Sequence, residues 1–169
     1  DPLLVVMAEP GASLAAELRR LIPDLRAMVG DQRRVLVGFD RGGWSPDLFA
    51  DLTGENFDVL TYRKGKTRPE PASAFTEHTF TDERGVTHRW QLADRRVRIR
   101  LTAAGAKRHG RKTITLRQIT RRSPNGHQTH ILTSRMDLPA AEIAARMFNR
   151  WRQENYFRYH RQHFALDSL

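Results

Sequence analysis

The hydrophobic pattern of the first 66 residues alternates between helical and strand periods. Between 12 and 29, apolar residues recur every three or four positions on one face, which predicts a helix with Pro23 as a kink. The near-continuous apolar run over 34–40 predicts a strand that is buried on both faces. The same reasoning predicts strands over 3–8 and 57–62 and a helix over 46–52. This order is typical of an α/β fold with a largely parallel, covered sheet.

A strand-only pattern follows from Ala74 to about Arg135. Short runs of Thr, Val, Ile, Trp and Arg alternate there with turn signals such as Pro124-Asn125-Gly126, which predicts antiparallel β structure. Asp137-Leu138-Pro139 then marks the entry to a long terminal helix. We therefore predict a core over 1–66, a basic β-rich insertion over 67–136 and a C-terminal helix of the core over 137–169.

An acid, Asp40, closes the strand predicted over 34–40. Ligands of open α/β sheets bind outside the carboxyl ends of the strands, so an acid at this position lies in the usual crevice. Ser45 and Pro46, shortly after it, are typical of a helix start. The alternative is that the Asp40 side chain only bonds the backbone of its own turn.

A second acid, Glu154, lies on an apolar helical stripe. At about 100° per residue it shares one arc with Met147 and Phe157. Arg150 and Arg158, one turn away on either side, could neutralise it as ion-pair partners. The other interpretation is that the helix offers this carboxylate to a ligand, and the presence of Asp40 favours that interpretation.

The net charge of +10 is concentrated in one block. From Arg84 to Arg122 there are thirteen Lys and Arg residues and one acid, Asp94. Within the block, RRVRIRL alternates, which predicts a strand with arginines on one face, about 6.6 Å apart, and apolar residues on the other. A single-sign block favours a polyanion such as nucleic acid over an ordinary solvated surface. The predicted DNA contacts are Arg95, Arg96, Arg98, Arg100, Lys107, Arg108, Arg111, Lys112 and Arg117.

Composition excludes several other classes. The chain has no cysteine, so it carries no disulfide scaffold and no thiol chemistry, which fits a cytoplasmic protein. The apolar run near the start is too short to span a bilayer, and no basic segment precedes it. His127 and His130 could form half of a metal site, but no cysteine or nearby carboxylate completes a tetrahedral set.

Three features in this order resemble the catalytic domain of bacterial insertion-sequence transposases that carry the Y-R-E-K signature. They are Asp40-Arg41-Gly42-Gly43 after an apolar strand, a β insertion, and Arg150-x-x-x-Glu154 on a terminal helix. The signature positions hold Met147, Arg150, Glu154 and Arg161, so the Tyr is replaced and the last basic residue is kept. The segments LTYRKG and HQTHILTSR extend the resemblance over essentially the whole chain.

The resemblance implies a partial ribonuclease-H-like fold and a D-D-E carboxylate triad that binds two Mg²⁺ ions. Asp40 and Glu154 would then be catalytic metal ligands, supported by Arg150 and Arg161. The implied partner is double-stranded DNA, both transposon ends and target, together with a homodimer in a synaptic complex. Asp1 is separated from Asp40 by too few elements to be the first Asp of the triad. We therefore expect a truncated, inactive segment, or alternatively a non-catalytic nucleic-acid-binding remnant.

Overall fold

The computed structural model describes residues 13–82 and 85–148, which form four helices and one six-stranded sheet. The helices are α1 (Leu14–Val29), α2 (Pro46–Gly54), α3 (Ala103–His109) and α4, described over 140–148. The strands are β1 (Val35–Phe39), β2 (Phe57–Tyr62), β3 (Thr76–Thr81), β4 (Thr87–Arg100), β5 (Thr113–Arg122) and β6 (Gln128–Thr133). These elements confirm the predicted alternation before residue 66 and the antiparallel strands after it, but α3 is a helix inside the stretch that was predicted to contain strands alone. The strand predicted over 3–8 lies outside the described residues.

The strands are ordered β1-β2-β6-β5-β4-β3. Only β1 and β2, which are joined through α2, pair in parallel, and the other four neighbouring pairs are antiparallel. The β1–β2 pair agrees with the parallel sheet predicted before residue 66, and the pairs among β3 to β6 agree with the antiparallel structure predicted after it. Parallel pairing needs a crossover connection, whereas β5 and β6 are joined by a short turn that reverses the chain. The antiparallel strands also extend the sheet begun by β1 and β2, since β6 pairs directly with β2.

The local sequence explains where the helices begin. The Ser45 hydroxyl accepts a hydrogen bond from the Leu48 amide at 3.2 Å, and Pro46 occupies the first turn of α2, as predicted. Thr102 caps α3 in the same way through the Gly105 amide at 3.0 Å. Within the described ranges, no helix is both long enough and apolar enough to cross a membrane.

Hydrophobic residues pack against both faces of the sheet. On one face, Phe39 of β1 and Val97 of β4 belong to a cluster that includes Phe49 of α2. On the opposite face, Leu92 of β4 belongs to a second cluster, which includes Met147 of α4. Met147, which replaces the signature Tyr, is 1% exposed. Here it is a core residue.

One buried carboxylate, Asp47 of α2, ties that helix to α3. It accepts hydrogen bonds from the Thr102 amide at 3.0 Å and from the Thr102 hydroxyl at 2.5 Å. Burial raises the pKa of Asp47, but the Thr102 bonds and nearby arginines outweigh burial and leave the pKa below its usual value. Gly105 lies so close that a Cβ there would be 2.2 Å from Asp47 Oδ1. The junction of α2 and α3 therefore requires glycine.

Candidate functional site

Asp40 lies directly after β1, where the chain enters a 3₁₀ turn over Arg41–Gly43. Its side chain is exposed, and Oδ1 accepts a hydrogen bond from the Gly42 amide at 2.8 Å. The Asp40 carbonyl accepts a second bond from Thr61 Oγ1 of β2 at 3.1 Å. The bond to its own turn is the one that the alternative interpretation expected. The turn also fixes the carboxylate at the exposed carboxyl end of β1.

A cleft of about 580 Å³ opens at this end of the sheet. Strands β1 and β2 end here, and the antiparallel strand β6 begins here, so three chain segments meet. Five basic residues contribute to the cleft, and the other lining residues are Gly42, Gly65, Thr67 and Gln128. The basic residues are Arg41, Arg63, Lys64, His127 and His130.

Of the basic residues of this cleft, only His127 and His130 were candidates from the sequence, as half of a metal site, although a signal for two others was available. Arg63 and Lys64 follow a predicted strand just as Asp40 follows another. The rule that ligands bind at strand carboxyl ends applied to them equally. The place of His127 and His130 in the cleft could not be predicted, because it depends on how β6 pairs with β2.

A polar network lies behind the cleft around the buried side chain of Gln118. Gln118 Nε2 donates to Glu70 Oε1 at 2.8 Å, and Gln118 Oε1 accepts a bond from Arg63. Glu70 also forms an ion pair with Arg95, with 2.5 Å between Oε1 and Nε. The one acid of this network is therefore already shared between a cation and an amide.

Two cleft residues have shifted pKa values. Burial lowers the pKa of Arg63, the nearby charge of Arg95 lowers it further, and Glu70 opposes both effects. Burial also lowers the pKa of His130, which Glu70 raises and the positive charges of Arg63, Arg95 and His127 lower. Both net shifts are downward, so each group carries a positive charge less readily than it would in water.

The strand pattern predicted in RRVRIRL is confirmed in β4. Arg96, Arg98 and Arg100 are exposed, whereas Val97 and Ile99 are buried on the other face. The β5 residues opposite the three arginines are Arg117, Thr115 and Thr113, respectively. No acid faces the arginines across this strand pair. We call Arg96, Arg98 and Arg100 the basic face.

An exposed acid at a strand end and a row of unopposed arginines fit a protein that acts on nucleic acid. A family model described as transposase protein matches residues 22–169. The chain belongs to this transposase family. A search of curated proteins finds no match. Transposases act on DNA, so membership implies interaction with DNA in general terms.

Several other arginines predicted to contact DNA in this transposase are ion-paired. Arg95 pairs with Glu70, and Arg117 pairs with Asp94 at 2.5 Å between Nη2 and Oδ2. Arg108 pairs with an acid of α2 at 2.9 Å. Lys107, Arg111 and Lys112 are exposed. A contact between any of these residues and DNA stays a prediction, and the ion pairs give Arg95 and Arg117 a structural role as well.

Arg117 connects the sheet of the transposase to the start of its last described helix. Its guanidinium donates to both carboxylate oxygens of Asp94 and, through Nη1, to the Leu138 carbonyl at 2.5 Å. The hydrogen bond to Asp94 raises the pKa of Arg117, and burial opposes that shift. Leu138 comes just before α4, so these bonds hold the entry of the helix against β5.

The second predicted acid and its supporting residues, Glu154, Arg150 and Arg161, lie outside the described residues. Their proximity to Asp40 stays a prediction. Within 13–82 and 85–148, no group of three or more His, Asp or Glu side chains could hold a metal ion. Asp40 is thus the part of the predicted metal site that can be placed.

Proposed function

We propose that this transposase is the catalytic-domain segment of a D-D-E enzyme with a ribonuclease-H-like core, which cleaves and transfers DNA strands. The observation that carries the proposal is the position of Asp40. It is an exposed acid at the carboxyl end of β1, beside the parallel neighbour β2. This is the edge of an α/β unit at which ligands bind. The family match over residues 22–169 also supports a transposase role.

The donor chemistry of Asp40 suits Mg²⁺, which prefers carboxylate oxygens. Asp40 alone is an incomplete site, and we propose Glu154 as a further ligand, with Arg150 and Arg161 supporting it. When bound, two Mg²⁺ ions would stabilise negative charge on the attacking and leaving oxygens of a phosphodiester. The 3₁₀ turn contributes by holding the Asp40 carboxylate in a fixed position before any ion arrives.

The basic face would hold the DNA backbone in register, because phosphate contacts position a duplex and carry little sequence information. A non-catalytic nucleic-acid-binding remnant is the second candidate function. The exposed basic face favours it, since these arginines need no metal site in order to bind DNA.

Metal binding separates the two candidates without relying on turnover. Asp40→Asn keeps an oxygen that can accept the Gly42 hydrogen bond but removes the charge. We expect this change and Glu154→Gln each to weaken Mn²⁺ binding by at least tenfold, as measured by electron paramagnetic resonance. The matched controls are Asp24→Asn and Glu142→Gln. Asp24 is exposed and Glu142 is half-buried, both elsewhere in the chain, and these changes should leave Mn²⁺ binding unchanged.

DNA cleavage provides the second readout. We expect cleavage of a DNA duplex to depend on Mg²⁺ or Mn²⁺ and on the Asp40 carboxylate. Asp40→Asn should abolish cleavage and leave duplex binding nearly intact. Mn²⁺ binding that is indifferent to Asp40 and Glu154 would refute the catalytic proposal and leave the binding remnant.

A further inference from the structure

The cleft beside Asp40 has a one-sided charge. Of its nine lining residues, five have basic side chains and none is an acid. Arg41 and Lys64 are exposed at its rim, whereas Arg63 and His130 are half-buried. A surface without a ligand usually mixes charges of both signs. Basic side chains that converge from three chain segments therefore indicate an anionic ligand.

The nearest acid of the network does not cancel this charge. Glu70 is already paired with Arg95 at 2.5 Å and accepts from Gln118 at 2.8 Å. Burial is the largest cause of the lowered pKa values of Arg63 and His130, neighbouring cations lower both values further, and Glu70 opposes these shifts. An anion in the cleft would offset this repulsion and favour the charged form of each group.

The cleft also contains an unused polar group and enough space. The hydroxyl of Thr67, a lining residue, is buried, and no hydrogen-bond partner reaches it from the described residues. Buried hydroxyls normally have a partner, so an acceptor in the cleft would satisfy it. The volume of about 580 Å³ exceeds that of a lone phosphate and is within the range of ligand clefts.

We propose that this cleft binds a phosphate group, with Arg41, Arg63 and Lys64 supplying charge and Thr67 a hydroxyl donor. The phosphate belongs to a DNA phosphodiester next to Asp40 or to a free phosphate ion, which share this chemistry. The DNA source rests on the proposed function. A phosphodiester here would approach the carboxyl end of β1, where Asp40 follows Phe39.

Duplex binding provides the first test, with a control two residues away. Lys64 lines the cleft, whereas Lys66 is also exposed but is not among the lining residues. In the full chain, the double change Arg41→Gln and Lys64→Gln should lower the slope of log K against log salt by up to about 1.8, at ~0.9 per phosphate contact. Lys66→Gln should leave the slope unchanged. Fluorescence anisotropy of a labelled duplex measures both.

Titration with inorganic phosphate provides the second test and needs no DNA. Nuclear magnetic resonance follows the ring signals of His130 against pH. Burial is the largest cause of the lowered pKa of His130, and Arg63, Arg95 and His127 lower it further against the opposing effect of Glu70. We expect phosphate to raise this pKa, because a bound anion favours the charged form of the ring. By linkage, phosphate should bind more tightly to the form of the cleft in which His130 is protonated. The effect should be lost in the Arg41→Gln and Lys64→Gln double variant and kept in Lys66→Gln.

The outcomes separate the sources of phosphate and the two proposals. Responses in both tests support a phosphodiester, and a response to inorganic phosphate alone supports a free phosphate ion. No response in either test, or equal responses from the cleft variant and Lys66→Gln, would overturn the site. Asp40→Asn distinguishes the two proposals, because it should weaken Mn²⁺ binding but retain the phosphate response. Refutation of the catalytic proposal would therefore not refute the phosphate site, and refutation of the phosphate site would not refute the catalytic proposal.

Discussion

Neutralising the basic face provides a quantitative test of how this transposase holds DNA. The change replaces Arg96, Arg98 and Arg100 together by Gln, which keeps part of each aliphatic stem and removes three charges. All three side chains are exposed, on alternate positions of one long strand. Their cross-strand neighbours are Arg117, Thr115 and Thr113. Since none of these neighbours is an acid, the arginines have no cross-strand partner that competes with a phosphate.

The expected loss follows from counterion release. Each neutralised phosphate contributes about 0.9 to the slope of log K against log salt, so three contacts lower the slope by up to about 2.7. Successive arginines on one strand face are about 6.6 Å apart, which allows each to reach its own phosphate. Folding should be little affected, because exposed substitutions usually change stability by at most about 0.5 kcal/mol each.

The assay is duplex binding by fluorescence anisotropy over a series of KCl concentrations. The control replaces Arg20, Arg33 and Arg146 by Gln, which changes the net charge equally from exposed positions outside the basic block. Long-range attraction should fall similarly in both variants, whereas the salt slope should fall only in the basic-face variant. An equal change in slope for the two variants would refute this placement of the DNA. An unchanged slope in the basic-face variant would refute it as well.

Two further predictions concern the stability of the fold. Gly105→Ala should lower the free energy of unfolding by about 1–3 kcal/mol in urea titrations, because its Cβ would lie 2.2 Å from Asp47 Oδ1. Gly54→Ala, with nothing within 4 Å of the added Cβ, should be neutral or stabilising, and equal losses would contradict the reasoning. The hydrogen bond from Arg135 lowers the pKa of Asp137 from 3.8 to about 2, so this carboxylate stabilises the fold above pH 4 and loses that contribution as the pH falls through 2. Asp137→Asn should therefore destabilise the protein at pH 5 but not near pH 2, and a difference independent of pH would count against it.

The structure could be predicted from the sequence wherever a local hydrophobic period or a local helix cap determines it. The alternation of arginines with Val97 and Ile99 placed the charges on one strand face without knowledge of the partner strand. Ser45 and Pro46 marked the start of α2 for a similarly local reason. These signals act over a few residues, and tertiary packing reinforces them.

Partners that are distant in the chain could not be predicted. Arg95 and Arg117 belonged to the predicted DNA contacts, yet they pair with Glu70 and Asp94. The alternation of side chains along a strand shows which face of the sheet a residue occupies, but it does not show which residue lies opposite on the next strand. The joining of the parallel and antiparallel strands into one sheet could not be predicted for the same reason, because β6 pairs with β2 from more than sixty residues away.

The contacts of Arg117 connect the basic face with the last described helix, α4. Side chains alternate along a strand, so Arg96 lies on the same sheet face as Leu92, which packs in the cluster with Met147 of α4. The basic face and α4 therefore share one side of the sheet. Arg117 joins them, because it lies opposite Arg96 and donates to the Leu138 carbonyl at the entry to α4. DNA bound to the basic face would thus lie beside the helix that precedes Glu154 in the chain.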